Sequence, residues 1–181
     1  MSIYKKFNED ISVIKVSDRN FTANISENWS IGQTANGGYS MAIIAKACSE
    51  YLNHKDPLVL SANYLERVEF GPADIEIFKI SSSKSTSTAS ITLKQKGIIK
   101  IFATATFTDF SKMKGINEKL REEPIFDSYE DCIQVPYKEG FNPKLDKNLE
   151  KKYCLDSIWW DKPNETNLSL IHISEPTRPR L

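Results

Sequence analysis

Residues 39–52 contain neither glycine nor proline, and behind them, as far as Phe107, side chains alternate apolar and polar. A helical period followed by a sustained period of two restricts the chain to one helix laid on an antiparallel sheet. Met41, Ile44, Ala45, Cys48 and Leu52 fall at helical spacing, with Lys46, Ser49 and Glu50 as a narrow polar edge. Ala42, Ala45 and Ala47 keep the helix slim, so a sheet can approach it closely. Asn36 stands at an N-cap position before Gly37-Gly38, and residues 53–57 end the helix.

Over residues 58–70, Leu58, Leu60, Ala62, Tyr64, Val68 and Phe70 share one face, with Glu66 as the exception. Gly71-Pro72 turns the chain into a strand at residues 73–80. The next strand, residues 85–95, puts Ala89, Ile91 and Leu93 on one face and Thr86, Thr88 and Thr92 on the other. Lys96-Gly97 turns again, and Ile99, Ile101, Ala103, Ala105 and Phe107 line the inner face of a last strand. The expectation is a helix followed by a four-strand meander. Two short β-rich runs, residues 11–16 and 21–25, precede it around a polar turn. Beyond Asp109 the chain is charged and proline-punctuated, so residues 111–152 read as a linker or surface layer. Residues 153–160 begin a new apolar segment.

The 24 basic and 24 acidic residues leave no net field, which argues against a dedicated nucleic-acid binder and a polybasic membrane anchor. No stretch approaches the ~20 apolar residues of a membrane span, and Lys5-Lys6 is followed by no apolar signal-peptide core. Cys48, Cys132 and Cys154 are odd in number and far apart in sequence, the spacing of neither a disulfide framework nor a zinc motif. A cytoplasmic location is the expectation. Residues 168–178 resemble the translation of a sequencing-library adapter, so residues 168–181, His172 included, are given no functional weight.

One ordered set of landmarks carries a family resemblance: Trp29, Asn36-Gly37-Gly38-Tyr39 and its helix, Tyr64-Leu65-Glu66-Arg67-Val68, Gly71-Pro72-Ala73, and a Ser/Thr-rich strand ending near Gln95. Over residues 8–109 the chain resembles the N-terminal half of two-module thioesterases related to acyl-CoA thioesterase II. The resemblance implies an α+β hot-dog fold, with one long central helix packed on a curved antiparallel sheet. It also implies hydrolysis of acyl-CoA or a related thioester, with no cofactor, and packing against a second hot-dog module or self-association. On this reading residues 8–110 are the module and residues 153–167 the truncated start of a second. Ser82-Ser83-Lys84-Ser85 departs from the Gly-Arg pair of relatives.

Thioester hydrolysis needs a donor for the carbonyl oxygen and a base to prepare water. The unpaired N–H groups of a helix start can serve as donors, which makes Asn36, Gly37 and Gly38 the candidate substrate-binding residues. The alternative is that Asn36 only caps and the glycines only permit close packing. The base has no evident bearer. Where single-module relatives carry a carboxylate in the helix, this chain has Ala45, and two-module relatives draw theirs from the second module. Glu50 reads as solvated, His54 as exposed and Cys48 as core, while Glu66 faces either a cavity or the sheet edge. No catalytic residue and no metal ligand is assigned. The expected function is the N-terminal module of an acyl-CoA thioesterase, of little activity alone; the alternative is a non-catalytic acyl-binding or scaffold lobe.

Overall fold

A computed structural model describes residues 3–115 and 127–154. These divide between two units, Met1–Glu118 with Tyr137–Leu149, and Lys119–Pro136 with Glu150–Leu181. The adapter-like tail and all but the first two residues of the expected second-module start lie outside the described residues.

In the first unit, α1 (Ile3–Asp10) leads into β1 (Val13–Lys15) and β2 (Asn20–Ile25). A small pair, β3 (Ser30–Ile31) and β4 (Thr34–Ala35), delivers the chain to α2 (Gly37–Tyr51). Then follow β5 (Asp56–Tyr64), β6 (Gly71–Ser82), β7 (Ser87–Gln95) and β8 (Ile98–Thr108). The six-stranded sheet runs β1-β2-β6-β7-β8-β5, antiparallel at every pairing. One main helix on a large antiparallel sheet is the expected α+β class.

The simple meander is corrected. β6, β7 and β8 are consecutive neighbours, but β5 pairs with β8 at the far edge and β2 takes the place beside β6. Residues 65–70 are therefore a crossover rather than the end of a strand. Val68 is buried there and its carbonyl accepts from the Ala35 N–H at 3.2 Å, so this segment passes the start of α2. Alternation marks faces and is silent about partners.

Two further details differ from the pattern. α2 buries Tyr39, Ser40, Ile43, Ile44, Ala47 and Cys48, while Met41 and Ala45 are half-buried. The buried stripe is rotated by one residue because Ser40 can turn inward: its hydroxyl donates to the Asn36 carbonyl at 3.1 Å. In β8, Leu93 pairs with Ile101 and Lys94 with Ile99, leaving Lys100 as a bulge residue. The bulge turns Ile99 outward, 40% exposed, and Lys100 inward. Lys96 and Gly97, at φ 52° and 77°, close the preceding hairpin with both turn residues left-handed.

The core lies between α2 and the sheet. Ile43, Ile44, Ile77, Leu93, Ile101 and Phe107 are fully buried, each contributing ~1.5–3 kcal/mol relative to exposure. α1, which no sequence signal announced, adds Phe7 against this core. Residues 137–149 join the same unit through a short 3₁₀ turn, Lys144–Asn148. Asn148 donates to the Asn28 carbonyl at 2.7 Å and accepts from Lys6 Nζ at 2.7 Å. In the second unit, β9 (Ile133–Gln134) and β10 (Lys152–Tyr153) pair antiparallel. No helix among the described residues is long and apolar enough to cross a membrane.

Candidate functional site

The start of α2 is fixed from several sides. The Asn36 side chain caps it, accepting from the Tyr39 N–H at 3.2 Å, while the Asn36 N–H donates to the Trp29 carbonyl at 2.9 Å. Tyr39 stacks on Trp29 at 6.0 Å between ring centroids, and Phe7 meets Trp29 edge-on at 4.9 Å. Asp10 ties the cluster together: its carboxylate accepts from Trp29 Nε1 at 2.8 Å and its carbonyl from the Tyr39 hydroxyl at 2.7 Å. A helix end held this firmly can present its free N–H groups without rearrangement.

Beside it opens a cavity of about 500 Å³, bounded by Ala35, Gly37, Ser40, Tyr64, Glu66 and Arg67 among others. The N–H groups of Gly37 and Gly38 belong to the first turn, where helix geometry supplies no intrahelical acceptor. Gly37 lines the cavity; Asn36 is turned to capping, and Gly38 is exposed next to it. The Tyr64 hydroxyl donates to the Gly37 carbonyl at 2.8 Å, and a Cβ on Gly37 would stand 3.0 Å from the Tyr64 ring. The contact is tight but falls on the outer end of the Tyr64 side chain, which is 49% exposed, so a larger residue at 37 displaces that ring by a few tenths of an ångström.

Glu66 faces the cavity, and its carboxylate accepts from Lys100 Nζ at 2.7 Å. The β8 bulge creates this pair, so period-two reading could not find it. Oε2 of Glu66 is thus engaged by the Lys100 ammonium. Glu50 is exposed and paired with Lys46 at 2.7 Å, which holds its carboxyl below the ordinary value through the hydrogen bond first and the charge second. Ala45 lies away from the main cavity, in a shallow depression with Ala42, Ser49 and Pro57. Burial pushes the Cys48 thiol up to about 12, so it stays protonated and inert.

His54 corrects its expected exposure. It is half-buried, with Nδ1 2.8 Å from the Ser87 hydroxyl and Nε2 3.3 Å from the Lys84 carbonyl. The carbonyl can only accept, so Nε2 is the donor in that contact. Ser87 is fully buried, which makes this pair a brace between β7 and the loop after α2 rather than a nucleophile and base. Cys132 and Cys154, remote in sequence, stand with their sulfurs 3.6 Å apart in the second unit.

Residues 25–108 match the profile of the family described as the acyl-CoA thioesterase N-terminal domain. The match spans the helix and the main strands, a little under half of the chain. The Thioesterase-like protein TwmA of Talaromyces wortmannii is 28% identical over 96 residues, covering 51% of this chain and 28% of that protein. A Thermobifida fusca YX structure assigned as a thioesterase II superposes with a TM-score of 0.67 at 20% identity, over 80% of this chain and 53% of that one. A hot-dog protein of unknown function from Alicyclobacillus acidocaldarius gives 0.68 at 18% identity, over 78% and 52%. These two structures establish the hot-dog fold. The chain spans about half the length of both, and less of TwmA. The matched segment contains α2, β5 to β8 and every residue that lines the cavity, which sits between β4, the start of α2 and the crossover after β5.

Proposed function

We propose that this thioesterase-like chain is the acyl-CoA-binding module of a hydrolase whose general base comes from a partner module. The observation that carries the reading is the capped start of α2, with Gly37 among the residues lining a cavity large enough for a thioester. Developing negative charge on the carbonyl oxygen is favoured there by the helix dipole and the free N–H groups. Among the described residues lining that cavity, the single carboxylate, Glu66, is engaged by Lys100. That same feature favours a second reading, a non-catalytic acyl-binding or scaffold lobe.

The partner is a second hot-dog module or another copy of this chain, packing beside β5 at the sheet edge. A cytoplasmic setting fits three free cysteines. Residues 36–38 are the proposed substrate contacts, and proline tests them. Asn36 is extended, at φ −60° and ψ 139°, the conformation required before proline, and Gly37 is the first helical residue. Gly37→Pro therefore removes the N–H while keeping the helix; Gly37→Ala adds a similar Cβ and keeps the N–H. By calorimetry with a non-hydrolysable acyl-CoA thioether ketone that preserves the carbonyl, Gly37→Pro should bind several-fold more weakly than Gly37→Ala. A neutral hydrogen bond of ~0.5–1.5 kcal/mol sets that scale. Equal affinities for the two variants would contradict the assignment.

A further inference from the structure

We propose that Asp127, Cys132 and Cys154 form a binding site for a divalent transition cation, zinc by the nature of the donors. The register of the second unit builds it. Ile133 faces Tyr153 and Gln134 faces Lys152, so one step outward along the ladder Cys132 faces Cys154. The two sulfurs lie 3.6 Å apart, and both cysteines are free thiols. A disulfide requires ~2.05 Å, whereas two thiolates on one tetrahedral zinc at ~2.3 Å each stand roughly 3.8 Å apart. The two thiols, in contact at this spacing, can therefore take one ion between them with little movement.

The third donor arrives through a turn. Ser128 and Asp131 bond to each other, the Ser128 hydroxyl donating to the Asp131 carboxylate at 2.7 Å and the Asp131 N–H to the Ser128 carbonyl at 3.0 Å. This folds the chain so that an Asp127 carboxylate oxygen and both sulfurs all lie within 4.8 Å of one another. Two thiolates with one carboxylate suit zinc, a borderline-soft ion, better than calcium or magnesium, which take oxygen alone. Glu130 and Asp131 on the same turn add negative charge. Lys152, the nearby cation, is occupied: its Nζ donates to the Tyr129 carbonyl at 2.7 Å and sits over the Tyr129 ring at 3.8 Å. The three donors among the described residues leave one position of a tetrahedron for water or a further ligand.

The test is a titration of the full, reduced, metal-stripped chain with cobalt(II) as a coloured stand-in, followed by zinc displacement. The expected result is a thiolate-to-cobalt charge-transfer band with tetrahedral ligand-field bands, saturating at one ion per chain and erased by zinc. Cys132→Ser and Cys154→Ser should each lose the charge-transfer intensity of one thiolate and bind more weakly. Asp127→Asn should keep both thiolate contributions with a shifted titration midpoint. Cys48 is buried in the other unit, so it supplies no competing signal. Circular dichroism checks that each variant is folded. The proposal is overturned if the reduced chain shows no charge-transfer band at excess cobalt, or if the band is undiminished in both cysteine variants. It is equally overturned if air oxidises the two thiols to a disulfide as fast with excess zinc as without it.

Discussion

Replacing Glu66 by glutamine should destabilise the chain more than replacing its partner Lys100 by methionine. The ammonium of Lys100 lies 2.7 Å from Glu66 Oε2, with the lysine side chain only 9% exposed and the glutamate 51% exposed. The gross Coulomb attraction at that separation is about 6 kcal/mol at an effective dielectric of 20 and roughly 1.5 kcal/mol at that of water. Half-exposure of the glutamate pulls the value toward the lower end, and desolvation of the lysine offsets part of the remainder. Glu66→Gln leaves the inward-turned ammonium without its closest carboxylate, at a cost of about 1–2 kcal/mol. Glu69, whose carboxyl also feels Lys100, limits the loss. Lys100→Met removes the charge that needed a partner and keeps the stem, so it should fall within about 1 kcal/mol of the parent. Urea unfolding followed by far-ultraviolet circular dichroism measures both, and the double variant should match Lys100→Met. If Lys100→Met loses more than about 2 kcal/mol while Glu66→Gln is neutral, the lysine is held by something other than this pair and the reasoning fails.

Ser30 is fully buried with a hydroxyl that has no partner among the described residues, so Ser30→Ala should raise stability by about 1 kcal/mol in the same assay. Lysine partners hold Glu50, Glu69 and Glu76 below their ordinary value of 4.5. A depressed folded value gives stability that is present above pH 4.5 and lost as pH falls through the lower folded value. The urea midpoint should therefore drop below that pH, less steeply in high salt, because these pairs are largely exposed. A thiol reagent at neutral pH should label Cys132 and Cys154 in the reduced native chain and reach Cys48, whose thiol burial pushes to about 12, only after unfolding.

The parts of the fold visible in the sequence are those governed by local period. Ala89, Ile91 and Leu93 on β7 and Ile101, Ala103, Ala105 and Phe107 on β8 are all buried, as strict alternation implies. Ile99 broke the pattern because a bulge inserts one residue without any mark in composition. The face of α2 was misplaced by one position because Ser40 counts as polar in a pattern but satisfies its own hydroxyl. Pairing across distance was hidden for a different reason. Contacts such as His54 with Ser87 or Cys132 with Cys154 join residues 33 and 22 positions apart, and only the sheet register brings them together. The cap at Asn36 was legible, being local; the Tyr64 ring that packs against Gly37 was not.

Steady-state acyl-CoA hydrolysis tests most directly whether this module binds substrate while its base is supplied elsewhere. The purified chain is assayed beside a two-module acyl-CoA thioesterase II relative. Without a general base the chain's turnover should be lower by roughly 10²–10⁴-fold, and Glu66→Ala and Glu50→Ala should not reduce it further. Turnover comparable to the relative's, abolished by either substitution, would contradict the account.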